Sequence, residues 1–137
     1  MEDCVFCKII DGELPSMKID EDASTLTFMD IHPLSSGHCL VVPKHHAATI
    51  FEADVRDLEA VMVTAKRVAL AIQEALRPDG LNVLQANGAA AFQSVPHFHL
   101  HLIPRWTDDG KGFDWMVVPG NREAIMKMGE RIRSALQ

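Results

Sequence analysis

Three of the seven histidines stand at alternate positions in Gln-Ser-Val-Pro-His-Phe-His-Leu-His-Leu-Ile-Pro-Arg, residues 93–105: His97, His99 and His101. Side chains alternate across a strand. In extended chain the three imidazoles therefore share one face, and Phe98, Leu100 and Leu102 share the other. Residues two apart are separated by about 6.5–7 Å, and the outer two histidines by about 13 Å. A zinc–imidazole bond is about 2.0–2.1 Å, so one ion reaches at most two neighbours of so straight a row. A solvated polar face is the plain alternative. The chemical alternative is nucleophilic. An imidazole with the ordinary pKa of about 6.5 is available in neutral form near pH 7. If one ring nitrogen donates to a carbonyl, the other keeps a lone pair that can attack phosphorus.

Cys4-x-x-Cys7 is the second group with chemistry in it. Two thiolates at this spacing are half of a closed tetrahedral zinc site and need two further ligands. The same spacing serves redox pairs, though no thioredoxin-like βαβ pattern surrounds this one. It also occurs as two small residues on a short helix. Cys39 lies in an apolar stretch and reads as a buried small residue.

The remaining bounds narrow the classes. A chain of 137 residues, 47% of them apolar, is expected to form one domain, 1–137, with one core. A formal charge of −6 speaks against polymeric nucleic acid as a partner, because backbone binding needs a basic surface. No apolar run is long enough to span a bilayer, so no membrane partner is expected. The N-terminal stretch is acidic and short, unlike a signal peptide. With an odd number of cysteines, it points to a reducing cytoplasm and no disulfide framework.

Several elements must position these groups. Cys4 to Ile10 suits one helical turn closed by Asp11-Gly12. Residues 16–20, 24–31, 38–43, 81–87 and 95–103 read as strands, the last lying between Pro96 and Pro104. "HPLSSG" (32–37) is a turn by composition. Leu58, Val61, Met62, Ala65, Val68, Ala69, Ile72 and Leu76 recur at three and four, predicting a long helix capped by Asp54 and stopped by "RPDG". Residues 88–94 form a Gly/Ala-rich loop. A final helix, about 121–136, starts at Asn121 and is expected to turn Ile125, Met128 and Ile132 inward. Strands joined by short turns favour an α+β fold with an antiparallel sheet of about five strands.

"HFHLHLI" (97–103) resembles the His-x-His-x-His pattern of the histidine triad (HIT) superfamily. "CVFCKIIDGELP" (4–15), "FMDIHPLSSGHCLVVPKHH" (28–46) and "NGAAAFQSVPHFHLHLIPR" (87–105) are similar, in the same order, to the branch near the Hint nucleoside phosphoramidases and the bacterial zinc-containing HIT hydrolases. The resemblance covers about residues 4–105. It implies a HIT-like homodimer and a nucleotidyl hydrolase or transferase that cleaves a nucleoside phosphoramidate or phosphoanhydride at the α-phosphorus and releases a nucleoside monophosphate. Dinucleoside polyphosphate hydrolysis and nucleotide-binding regulation are the alternatives.

By position in the motif, the resemblance implies that His99 is the nucleophile, that His101 orients and stabilises the phosphate, and that His38 supports its hydrogen bonding. It implies nucleotide contacts at Asp30 (ribose hydroxyls), Ile31 (base), Asn87, Gln93, Ser94 and Val95, for a purine nucleotide or phosphoramidate substrate. It also implies a structural zinc held by Cys4, Cys7, His46 and His97, with His45 as the alternative to His46. Phe92 departs from the glycine that many relatives carry there, and Pro96 from a larger or aromatic residue. No role is assigned to His32 or Arg105.

Overall fold

The computed structural model describes residues 3–113 and 116–137. Among them, five strands form one antiparallel sheet in the order β1-β2-β3-β5-β4. The strands are β1 (Lys18–Glu21), β2 (Thr25–Met29), β3 (Cys39–Pro43), β4 (Gly80–Gln85) and β5 (Leu100–Arg105). Three α-helices accompany them: α1 (Val5–Ile10), α2 (Val55–Leu76) and α3 (Arg122–Ala135). The α+β class and the five-stranded antiparallel sheet are as the sequence indicates.

α2 crosses one face of the sheet. Its Val61, Ala65, Val68 and Ile72, spaced at three and four, bury against Cys39, Val41, Phe98, Leu100 and Leu102. Asp54 caps its start, with the carboxylate accepting from the Arg56 N–H at 2.8 Å. Arg77 ends it in the left-handed region, φ 50°, and its N–H returns to the Gln73 carbonyl. α1 lies on the opposite face, where Cys4 and Phe6 pack with Leu26, Phe28, Leu40 and Val42. Each fully buried side chain of this size contributes about 1.5–3 kcal/mol. Leu102→Ala, at the centre of the α2 layer, is the single change expected to damage it most, by ~2–5 kcal/mol.

The turn between β2 and β3 depends on Gly37. Its φ is +89°, and a Cβ there would meet the Leu76 side chain at 2.5 Å. A glycine is required for both reasons, and the turn it permits delivers His38 to the start of β3.

Two expectations need correction. The last strand is Leu100–Arg105 rather than 95–103. Pro96 has no N–H, and the His97 N–H turns back to the Val95 carbonyl at 2.8 Å, so the chain bends before pairing begins. Pro104, expected to end the strand, lies inside it. Pairing with β3 stops at Leu102, while Pro104 stands opposite Leu81 of β4, so its missing donor breaks no ladder bond with β3. The second correction concerns α3. Its start at Asn121 is as expected, with the side chain accepting from Ala124 N–H at 2.9 Å. Ile125, Met128 and Ile132, however, are 61%, 46% and 70% exposed. The helix is amphipathic, but no element of the described chain covers its apolar side.

Candidate functional site

Three segments meet on the α1 face of the sheet: the 95–101 run, the end of β2 with its turn, and α1 itself. His97 and His99 precede β5, and His101 is its second residue. Phe98, Leu100 and Leu102 face α2, so the alternation places all three imidazoles toward α1. His97 and His99 are buried and His101 is half-buried.

The His99 ring is fixed by its neighbour's backbone. Its Nδ1 lies 2.7 Å from the His97 carbonyl oxygen. A carbonyl only accepts, so Nδ1 carries the proton and Nε2 keeps its lone pair. Burial lowers the pKa of His99, which favours that neutral form.

His101 is held through His38. The Leu34 N–H donates to His38 Nδ1 at 2.9 Å. His38 therefore bears its proton on Nε2, which lies 2.9 Å from His101 Nδ1. Donation along this line makes Nε2 of His101 the protonated nitrogen. Asp30 flanks the pair, with Oδ2 at 3.4 Å from His38 Nε2, while its Oδ1 accepts from the His32 N–H at 2.8 Å. Burial, then the neighbouring His99 and His38, push the pKa of His101 down to about 4. His38 is lowered too, again chiefly by burial.

His99 and His101 open onto a cavity of about 420 Å³, a size suited to a small-molecule ligand. Asp30, Ile31, Ser94 and Val95 line it, as do His32 and a largely apolar wall of Val5, Phe6, Ile9, Leu14, Pro15, Phe28 and Leu40. Asn87 and Gln93 are absent from that lining. Asn87 exchanges hydrogen bonds with Gln85 and accepts from the Ile50 N–H at 2.7 Å. Gln93 accepts from the Gly88 N–H at 2.7 Å and donates to the Ala48 and Val95 carbonyls. Both tie down the loop that carries Ser94. Arg105 is engaged with Asp109, Asn82 and the Lys111 carbonyl, which makes it a loop anchor. Sequence reasoning missed the α1 wall. Its signal was the apolar Val5, Phe6, Ile9 and Ile10 in a helix of only six residues, too apolar for a surface turn.

The second cluster lies behind the first. Cys4, Cys7, His46 and His97 bring one ligand atom each to within 4.8 Å of one another. Cys4 Sγ is 3.4 Å from His97 Nδ1, Cys7 Sγ 3.4 Å from His46 Nδ1, and the two Nδ1 atoms are 3.1 Å apart. The edges of a tetrahedron are 1.63 times as long as its centre-to-vertex bonds. Zinc bonds of about 2.0–2.3 Å thus require ligand separations of roughly 3.3–3.8 Å; the three sulfur–nitrogen separations of 3.4, 3.4 and 3.6 Å lie in that range, and the two imidazole nitrogens stand slightly closer. His97 Nε2 lies 2.8 Å from the Pro43 carbonyl. That contact fixes its proton on Nε2 and turns the Nδ1 lone pair toward the thiols. Burial and the Cys4 hydrogen bond push the Cys7 thiol up to about 11. His45 stands apart, paired with Asp57 at 3.1 Å.

The fold and the two clusters together define a small nucleotide-site domain built around a histidine triad. Residues 11–108 match the HIT domain family, and the chain belongs to it. It is 40% identical over 135 residues to adenosine 5'-monophosphoramidase hnt1 of Schizosaccharomyces pombe, covering 98% of both chains. A crystal structure of a HIT family member from Bacillus subtilis superposes with TM-score 0.91 at 37% identity, covering 98% of each chain. A zinc-bound histidine triad family protein from Mycobacterium smegmatis superposes with TM-score 0.78 at 34% identity, covering 98% of this chain and 99% of that one. The chain is a hydrolase of this family.

Proposed function

We propose that the protein cleaves a nucleoside phosphoramidate, or a related phosphoanhydride, at the α-phosphorus through a covalent nucleotidyl-histidine on His99. The observation that carries this reading is the His99 ring, with its proton held on Nδ1 by the His97 carbonyl and its Nε2 lone pair left over beside the cavity. Nε2 bonds to phosphorus as the P–N or P–O bond to the leaving group breaks. A leaving amine departs with a proton from water. Water then attacks phosphorus, giving up a proton to the hydroxide left by the first step or to solvent; the Nε2–P bond breaks, and a nucleoside monophosphate is released. One difficult displacement becomes two easier ones.

His101 Nε2–H is a donor for the phosphoryl oxygens, aligned by the relay that begins at Leu34 N–H. Asp30 accepts from the ribose hydroxyls, and Ile31 with the α1 wall takes the base. Asn87 and Gln93 contribute by fixing the loop that presents Ser94 and Val95. Zinc is the ion we assign to Cys4, Cys7, His46 and His97, since two thiolates and two imidazoles are its usual structural set. Held there by four protein ligands, it would tie α1 to the catalytic segment. Keeping these thiols reduced suits the cytoplasm. The exposed Val83 and Leu84 on edge strand β4, with the bare side of α3, suit a homodimer.

The test is intact-mass analysis after rapid quench with an adenosine phosphoramidate. Wild type is expected to gain one acid-labile adenylyl group. His99→Ala is expected to show no adduct, with turnover reduced by about 10⁴-fold or more. Turnover persisting in His99→Ala at the wild-type rate would sink the reading.

A further inference from the structure

The geometry points to Phe6 as a positioning residue that couples the Cys/His cluster to the orientation of the nucleophile, an inference that rests on the role proposed for His99. Phe6 is 6% exposed and lies between Cys4 and Cys7 in sequence, so the two thiols bracket it. Its ring stands perpendicular to that of His99, with centroids 5.1 Å apart and an interplanar angle of 90°. It also meets His97 at 6.0 Å and Phe28 at 5.4 Å, both edge-on. The ring is thus wedged between a ligand of the cluster, the nucleophile and the floor of the sheet.

On its other side the His99 ring meets that of His101, with centroids 4.9 Å apart and an interplanar angle of 66°. One nitrogen bonds to the His97 carbonyl, and a single hydrogen bond leaves the imidazole free to swing about it. The perpendicular packing of Phe6 limits that swing from the α1 side, opposite the contact with His101. Aromatic pairs prefer this arrangement, and its geometry is specific. α1 is only six residues long, too short to hold its place by helix propensity. Its place against the sheet rests on its packing with Leu26, Phe28, Leu40 and Val42 and on Cys4 and Cys7 meeting His46 and His97. Two links therefore run from the cluster to His99: the backbone of His97, and the ring of Phe6. Closing the cluster sets the Phe6 ring, and the Phe6 ring sets the nucleophile.

Phe6→Leu and Phe6→Tyr separate this role from a purely structural one. Leucine keeps an apolar wall and loses the ring; tyrosine keeps the ring. Four quantities are measured on the metal-loaded protein: metal content, the Kd for AMP, the single-turnover rate of adenylyl transfer to His99, and the ¹⁵N chemical shifts of the His99 ring. Phe6→Leu is expected to retain its metal; because Phe6 also lines the cavity, AMP affinity falls as well, but by less than the transfer rate does. Its transfer rate is expected to fall roughly 10- to 100-fold, the scale of a misplaced reacting group. Its His99 nitrogens should move from a single tautomer toward averaged shifts. Phe6→Tyr should restore both the rate and the spectrum. Wild type stripped of metal should show the same averaged His99 signature as Phe6→Leu, read without any turnover. An unaltered His99 spectrum in Phe6→Leu, or a rate that falls only as much as AMP affinity does, overturns the inference. Absence of any adenylyl adduct in wild type overturns the role of His99 as nucleophile, whereas the ¹⁵N spectra still report whether Phe6 orients the ring.

Discussion

His97 and His101 lie four residues apart on one segment, and each belongs to a group of ligating side chains. Cys4, Cys7, His46 and His97 form one group; Asp30, His38 and His101 form the other, again with ligand atoms within 4.8 Å. Side-chain types alone would let either group hold an ion. The backbone behind them separates the two. Behind His97 is a carbonyl, that of Pro43, which takes the Nε2 proton and leaves a lone pair facing the thiols. Behind His38 is an N–H, that of Leu34, which takes the Nδ1 lone pair and leaves a proton facing His101. In one group the His97 Nδ1 lone pair faces two thiols and a second imidazole, a donor set suited to a cation. The other presents a proton already shared between two rings, which a cation would have to displace. An acceptor or a donor from the main chain thus suits one group to a metal ion and the other to proton chemistry.

Breaking the metal-type group gives the largest expected effect on the fold. Cys7→Ser is expected to lower metal content from about one ion per chain to near zero and to lower Tm by about 10 °C or more, because binding free energy at such a site is folding free energy. The loss should be accompanied by a slower His99, through α1. Metal analysis with differential scanning calorimetry checks this. A Cys7→Ser protein that keeps its metal and its Tm would show that the four ligands do not act as a unit.

Breaking the other group should leave the metal in place. His38→Phe removes the donor to His101 Nδ1 and the acceptor for Leu34 N–H. Its kcat is expected to fall roughly 10- to 100-fold, the usual scale for a misaligned proton or hydrogen-bond donor. Metal content should be unchanged and KM should move by no more than about threefold. Loss of metal in His38→Phe would mean that the two groups are one network.

The contrast also has a pH signature. His101 is held neutral, its pKa lowered from 6.5 to about 4 mainly by burial, with His99 and His38 adding to it and Asp30 opposing. The unfolded chain therefore takes up this proton first as pH falls. Stability from the neutral pair is fully present above about pH 6.5 and is lost as pH falls toward about 4. In the Cys7→Ser background, where ligand protonation no longer expels metal, Tm should fall across that window, and fall less steeply once His101→Asn is added. Parallel curves for the two would remove His101 from the account.

Much of this was legible in the sequence, for reasons that differ by element. α2 announced itself because its apolar residues recur at three and four and its caps are local. The triad announced itself because alternation across extended chain is a short-range rule. The shift of β5 to Leu100–Arg105 was not legible: it depends on β4, which pairs with it from Leu100 to Arg105, and sequence spacing does not encode how far that partner runs. Nor was the exposure of Ile125, Met128 and Ile132, since an apolar stripe shows that a face seeks cover without showing what supplies it. Least legible were the Pro43 carbonyl and the Leu34 N–H. Every residue but proline carries the same main-chain groups, so only the closed fold shows which of them faces a given imidazole.

The smallest expected effect tests the assignment between adjacent residues. His45 and His46 are equivalent by type, and spacing alone does not choose between them. In the fold, His46 Nδ1 stands 3.4 Å from Cys7 Sγ and 3.1 Å from His97 Nδ1. His45 points away to Asp57, its side chain 79% exposed. A surface pair of that kind contributes little, because water and salt screen it and two side chains must be held still. His45→Ala is therefore expected to keep its full metal content, with Tm within about 2 °C of wild type, whereas His46→Ala should lose the ion. Metal analysis of the two variants side by side decides it. Should His45→Ala lose metal while His46→Ala retains it, the ligand set would include His45, and the link drawn from that cluster through α1 to His99 would have to be rebuilt from a different anchor.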